Sequence, residues 1–263
     1  MHISFIAMKG EKTMKELIKS NLKYIIFLVI FGIIGGYFTA LYSLQILSQD
    51  VLDETIAQVG SVEIVIIIST LQSLGYALIL GIIGKILAKK IGLWRNIAFE
   101  KKGNIELTIF SIVGGATFIL LDVLIFGNFS EVIKDSYAVK PTIEYIIASV
   151  TYGAVIEEVM LRLFFMSLIS IIIQKISKKE EMNEKILIIS NVIASLLFAT
   201  GHLPATIMSI SPVTPMIIFR CYLLNGGFGL IFGRLYRKYG IHYAMLAHGS
   251  VHIISKLIWI LFI

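Results

Sequence analysis

The sequence predicts an all-α, polytopic transmembrane helical bundle of about seven or eight spans. Three observations carry this. Of the 263 residues, 57% are hydrophobic and 15% are charged, whereas a soluble domain carries about a quarter charged residues. Mean hydropathy is +0.88. The apolar residues fall in runs long enough to cross a hydrocarbon core of about 30 Å, and the cations fall between those runs. The length fits one membrane domain, 1–263, with no room for a sizeable soluble one. Cys221 is the only cysteine, which excludes an intrachain disulfide and a thiolate metal cluster. The formal net charge of +6 does not signal nucleic-acid binding, because Lys and Arg lie in short loops, where membrane topology places them.

The elements follow in order. Met1, Met8 and Met14 offer alternative starts, and Met14 is a plausible true one. The first span, 22–44, is too long for a signal-peptide apolar region and has no small-x-small cleavage site after it, so it reads as an uncleaved anchor. Spans follow at 62–87, 105–126, 142–174, 186–203, 214–235 and 241–263. The fourth would be about 50 Å of helix against a core of about 30 Å. It is either one tilted, overhanging helix or two spans broken near Gly153. Alternate connections are basic: Lys9, Lys12, Lys15, Lys19 and Lys23; then Lys85, Lys89, Lys90, Arg95, Lys101 and Lys102; then Lys175, Lys178, Lys179 and Lys185; then Arg234, Arg237 and Lys238. The connections between carry Asp50, Asp53, Glu54, Glu131 and Asp135, or at 204–213 no charge. The positive-inside rule then puts the N-terminus in the cytoplasm and the C-terminus outside. Gly32-x3-Gly36 and Gly229-x3-Gly233 predict close helix packing. There is no internal repeat, low-complexity tract or linker.

Chemistry is concentrated in a few polar residues inside the apolar spans. Glu157, Glu158 and Arg162 lie within six residues. Ionisable groups are costly in hydrocarbon and mark a protein interior or a wet cavity. At about 100° per residue, Glu158 and Arg162 lie about 40° apart on one helix face, a good ion-pair spacing. Glu157 is about 140° from Arg162 and lacks that partner. Glu158 is therefore expected to be structural, and Glu157 to be free for general acid–base work. A purely structural ion pair would need one carboxylate, not two. Asn191, Ser195, Phe198 and His202 form a second stripe, which should face the bundle interior. His248 and His252, at i and i+4, share a face with Ser255 close below, a spacing that presents two imidazoles to one metal or one substrate. His2 and His242 read as peripheral. Asp122, Arg220 and Lys256 read as structural: Arg220 neutralises either Asp122 or the glutamate pair, and Lys256 snorkels or pairs.

The sets Glu157-Glu158-x3-Arg162, Phe198-x3-His202 and His248-x3-His252, in that order on three spans, resemble the CAAX prenyl protease 2 and bacteriocin-processing (CPBP, or Abi) family of intramembrane proteases. The stretch from Gly229 to Gly240, leading into His248, is similar to the family's approach to its third motif. The resemblance covers about residues 140–255, the expected catalytic core; the first hundred residues contribute only spans.

The resemblance implies peptide-bond hydrolysis by a water activated within the membrane, with a membrane protein or lipidated peptide as substrate, as in CAAX-type or leader-peptide processing, in a prokaryotic cell membrane. It implies Glu157 as the catalytic glutamate, His202 as its partner in polarising water, His248 and His252 as groups that stabilise the oxyanion, and Glu158 with Arg162 as the supporting pair. The third motif commonly ends in asparagine and here ends in His252. Imidazole donates a hydrogen bond as Asn does, and it also ligates metal. Two chemistries stay open: a metal-free glutamate peptidase, which is preferred, and a metalloprotease-like site in which Glu157, His202, His248 and His252 hold a single zinc-like ion. Two further functions also stay open: a non-proteolytic bacteriocin-immunity or scaffold protein of the same fold, and a proton-coupled transporter. The second is disfavoured by the lack of paired broken helices in two repeated halves. A depth conflict remains. Along straight spans His202 lies about 17 residues from the inner face and His248 about 7. With Pro204, Pro212 and Pro215 beyond it, the fifth span is expected to end inside the membrane at a water-filled cleft.

Overall fold

A computed structural model describes residues 14–263, with side chains from Asn21 onward. Met1, His2, Met8, Lys9 and Lys12 lie outside these residues, as do the side chains of Lys15 and Lys19. The described residues form nine helices and no strand. They are α1 (Met14–Ile46), α2 (Gln49–Val59), α3 (Val62–Lys90), α4 (Lys101–Leu124, closed by a 3-10 turn at Phe126–Phe129), α5 (Glu131–Ser136), α6 (143–176), α7 (Glu184–Ser209), α8 (Pro215–Tyr239) and α9 (Ile241–Phe262). Six of them are long and apolar enough to cross a membrane. The long helix α6 is not one of those six; it packs against α1, α3, α7, α8 and α9. Ile67, Ile86, Ile109 and Val113 point outward, as lipid-facing side chains must, and the chain is an integral multi-pass membrane protein.

Local chemistry explains where the helices begin. The side chains of Ser61, Ser130, Thr142, Asn183 and Thr214 each accept a hydrogen bond from the backbone N–H three residues on, satisfying a donor that the first turn leaves orphaned. Pro215 follows its cap at the first helical position, where its missing N–H costs nothing. Two short helices, α2 and α5, were read as loops from the sequence. α2 buries no side chain, so it shows no apolar span to find.

Charge placement is borne out in space. Lys85 donates to Asn21 at 3.1 Å, Arg95 to the Arg237 carbonyl at 3.4 Å, and Arg237 pairs with Glu184. The basic ends of α1, α3, α7 and α8 therefore gather at one end of the bundle. Thr142 bonds Gln45 at 2.9 Å, and Lys140 bonds the Ile260 carbonyl at 3.0 Å, at the other end.

One alternative closes and two expectations change. Of the two forms open for the 142–174 span, the single helix holds and there is no break at Gly153. α6 is one helix, wound with i→i+5 bonds over Ser149–Glu157 and again over Val159–Met166. Such wide turns recur at functional sites. The fifth span does not end at 203 either; α7 continues through Pro204 to Ser209. Unwinding in hydrocarbon would orphan several backbone groups, whereas the proline forfeits one bond. Finally, the depth conflict is resolved at the α8–α9 turn. Gly240, at φ +103°, makes that turn, a conformation suited to glycine. The turn lies inside the protein, beneath the 91–100 segment: a His242 ring nitrogen bonds the Ala98 carbonyl at 2.9 Å, and the Tyr243 hydroxyl accepts from the Glu100 N–H at 2.7 Å. α9 thus starts well inside the bundle, and a residue seven places along it meets the middle of α6. His242, expected to be peripheral, is remote from the glutamates yet buried.

Candidate active site

Four helices bring the motifs to one place. Glu158 and Arg162 on α6 are wholly buried, with Oε2 and Nε 3.3 Å apart. The Glu158 Oε1 faces His248 Nδ1 on α9 at 3.0 Å. Glu158 thus holds a cation on its own helix and a histidine on another. The Arg162 guanidinium also lies over the Phe198 ring, 5.4 Å from its centroid, and its Nη2 lies against α8: a Cβ on Gly229 would sit 3.0 Å from it. The ion pair locks α6, α7, α8 and α9 around one charge cluster. A buried pair of this kind specifies geometry more than it stabilises.

Glu157 has a different environment, as its helix phase predicts. Its Oε1 lies 3.8 Å from His202 Nε2 on α7, and both side chains are partly exposed. They line a cavity of about 320 Å³. His202 Nδ1 lies 2.9 Å from the Phe198 carbonyl. A carbonyl only accepts, so Nδ1 carries the proton, and in neutral His202 the Nε2 facing Glu157 is an acceptor. The pair is spaced for one water to bridge.

His248 and His252 complete the wall, with ring centroids 5.0 Å apart. Phe232 stacks on His248 at 4.5 Å and fixes its plane. His252 Nδ1 is buried without a partner among the described residues, so nothing pins its proton there and the Nε2–H tautomer is open to it. A Cβ built on Gly153 would lie 3.7 Å from His252 Nε2 and 3.9 Å from Glu157 Oε2. Glycine at 153 thus leaves open the space between carboxylate and imidazole. Ser255 donates to the His252 carbonyl at 3.0 Å.

All six site residues taken from the sequence therefore lie in one cluster. The Asn191 stripe is buried as expected, and Asn191 donates to the Leu230 carbonyl of α8 at 2.9 Å. Arg220 neutralises Asp122, at 2.6 Å from Nε to Oδ1, and Tyr137 donates to the same carboxylate at 2.7 Å. Lys256 neither snorkels nor pairs with a carboxylate among the described residues. It is buried, with Nζ 3.9 Å from the Tyr145 ring centroid. The first hundred residues also do more than span, since Thr39, Tyr42 and Ile46 of α1 line the cavity. Nothing in their types marks them; only the packing of α1 on α6 puts them there. Gly153 is visible in the sequence as a glycine in a long span, a place for a break if there is one, but nothing there marks it as lining a cavity.

As arranged, the four candidate metal ligands do not fit a metal ion. Among the described residues, no group of three or more His, Cys, Asp and Glu side chains is placed to share one. What the cluster offers is a carboxylate beside an imidazole acceptor, facing two further imidazoles in a partly polar cavity.

Comparison with known proteins converges on the same segment. Residues 140–254 match the family model described as Type II CAAX prenyl endopeptidase Rce1-like. No curated protein and no solved structure matches the chain. That segment contains every residue of the cluster, and over it the chain is similar to the type II CAAX prenyl endopeptidases.

Proposed function

We propose that the protein is an intramembrane endopeptidase that hydrolyses a peptide bond of a membrane-associated protein or lipidated peptide, using a water activated by Glu157 and His202. The observation that carries this reading is the Glu157–His202 pair at 3.8 Å on the wall of the cavity. Glu157 takes a proton from the water, while His202 Nε2 accepts the other hydrogen and aims the oxygen. The oxygen attacks the scissile carbonyl carbon, and charge develops on the carbonyl oxygen. His252 Nε2–H donates to that oxyanion, and His248, whose Nδ1 is held by Glu158, lines the same wall. Preorganised donors in a site shielded from bulk water are worth most at this step. The intermediate collapses, the C–N bond breaks, and Glu157 returns its proton to the leaving amine nitrogen. Glu158 and Arg162 touch no reacting atom and hold the helices in register.

The basic end of the bundle is taken as cytoplasmic on the positive-inside rule. Tyr42, Ile46, Ser209 and Arg220 line the cavity toward the opposite end, so its mouth faces away from the basic loops.

The deciding experiment is Glu157→Gln in a reconstituted cleavage assay. Turnover should fall about 10²–10⁴-fold, the contribution of a general base, with the melting temperature unchanged. A variant that still cleaves removes the general-base assignment. A wild-type chain that cleaves nothing, yet protects cells as well as Glu157→Gln does, would make the protein a non-proteolytic member of the fold.

A further inference from the structure

A second cavity, of about 700 Å³, lies across the α6–α9 contact from Glu157. Ala154 and Gly249 line it and form the partition, since a Cβ on Gly249 would lie 3.3 Å from that of Ala154. Its walls are apolar, with Phe27, Phe31, Val150 and Ile253, and its mouth carries Lys23, Lys85 and Arg95. These cations come from α1, α3 and the 91–100 segment, at the end of the bundle where the basic loops gather. Among the described residues, no carboxylate pairs with any of the three.

Lys85 is held in place. Its Nζ donates to Asn21 Oδ1 at 3.1 Å and lies 4.4 Å and 4.8 Å from the ring centroids of Tyr24 and Trp94. Those rings meet edge-on at 5.3 Å. An ammonium has three N–H groups, so donors remain for an anion at the mouth. From Lys23 to Phe31 the groove follows α1 for about 12 Å into the apolar region. A cationic rim at headgroup level above an apolar groove between helices matches an amphiphile with one charged end.

We propose that this cavity holds an anionic glycerophospholipid, its phosphate among Lys23, Lys85 and Arg95 and one acyl chain laid along α1, α6 and α9. The site does not depend on the catalytic reading, because its lining includes none of the Glu157 cluster.

The test is binding to the detergent-purified full chain, read by native mass spectrometry and by thermal unfolding. The probes are phosphatidylglycerol and phosphatidylcholine with identical chains, inorganic phosphate, and farnesol as an uncharged isoprenoid. Phosphatidylglycerol should bind at least about tenfold more tightly than phosphatidylcholine, and each cation removed should cost about fivefold. Lys85→Gln, and separately Lys23→Gln with Arg95→Gln on the exposed rim, should erode the preference while leaving phosphatidylcholine binding unchanged. Ser250→Trp, which fills the groove, should weaken both lipids. Glu157→Gln should keep the preference, so that failure here is separable from failure of the peptidase reading. Equal binding of the two phospholipids, or a preference that survives loss of the cations, overturns the proposal. So does binding of inorganic phosphate as tight as that of the lipid. Farnesol binding without any phospholipid preference would make the cavity an isoprenoid groove instead.

Discussion

At the scale of residues, adjacent glutamates have separate roles because a helix turns. Glu158 faces inward, between Arg162 and His248, and is wholly buried. Glu157, one step round, faces the cavity and His202. The same logic assigns the two motif histidines of α9. His248 is committed through Nδ1 to Glu158, whereas His252 Nδ1 has no partner among the described residues and its Nε2 faces the space left by Gly153. On the proposed mechanism, position 252 supplies an N–H at that point. His252→Asn should therefore retain activity to within about tenfold, since an amide donates as well. His252→Leu should lower kcat about 10²–10³-fold with little change in KM, the loss typical of one oxyanion donor. Steady-state kinetics on both variants would settle this, and equal loss in the two would count against a donor role.

At the scale of elements, the bundle depends on where helices can approach closely. α1 packs on α3 through Gly36, where a Cβ would fall 2.6 Å from Ser73 Cβ and 2.8 Å from the Thr70 Cα. A backbone atom cannot yield as a side chain does. Gly36→Leu should therefore push α1 off α3, destabilising the fold by about 1–3 kcal/mol or more. It should also disturb the cavity, because Thr39 and Tyr42 follow on the same helix. A melting temperature equal to wild type in detergent would refute this. Gly229-x3-Gly233 does the same for α8: a Cβ at 233 would overlap the Asn191 amide of α7, and one at 229 would press on Arg162 and Ser195. Both glycine motifs thus pack helices, and the second also gives the ion pair its room.

At the scale of the whole molecule, the two cavities open toward opposite ends of one bundle, with α6 and α9 between them. If the basic end is cytoplasmic, the mouth of the Glu157 cavity opens on the other face. On a Cys221→Ser background, Ser209→Cys at that mouth should react in intact cells with a membrane-impermeant maleimide. Ser177→Cys, exposed beside the basic 175–185 connection, should react only after the cells are opened. The reverse pattern would invert the topology and place the mouth in the cytoplasm.

The amino-acid sequence by itself determined the class, the approximate spans and which polar residues gather in one cluster. Apolar length, charge periodicity and rare intramembrane Glu and His residues are local properties, and hydrocarbon penalises every exception to them. Helical phase alone also separated Glu157 from Glu158. Tertiary structure decided what depends on where helices begin, wind and cross. α6 stays whole by winding into π turns, α7 runs through Pro204, and α9 starts beneath the 91–100 segment, which brings His248 to the depth of Glu158. The cavity contributions of Thr39 and Tyr42, and the room left by Gly153, likewise follow only from packing. No residue type announces which neighbour will stand across a cavity; that is set by helices far apart in sequence meeting at fixed depth.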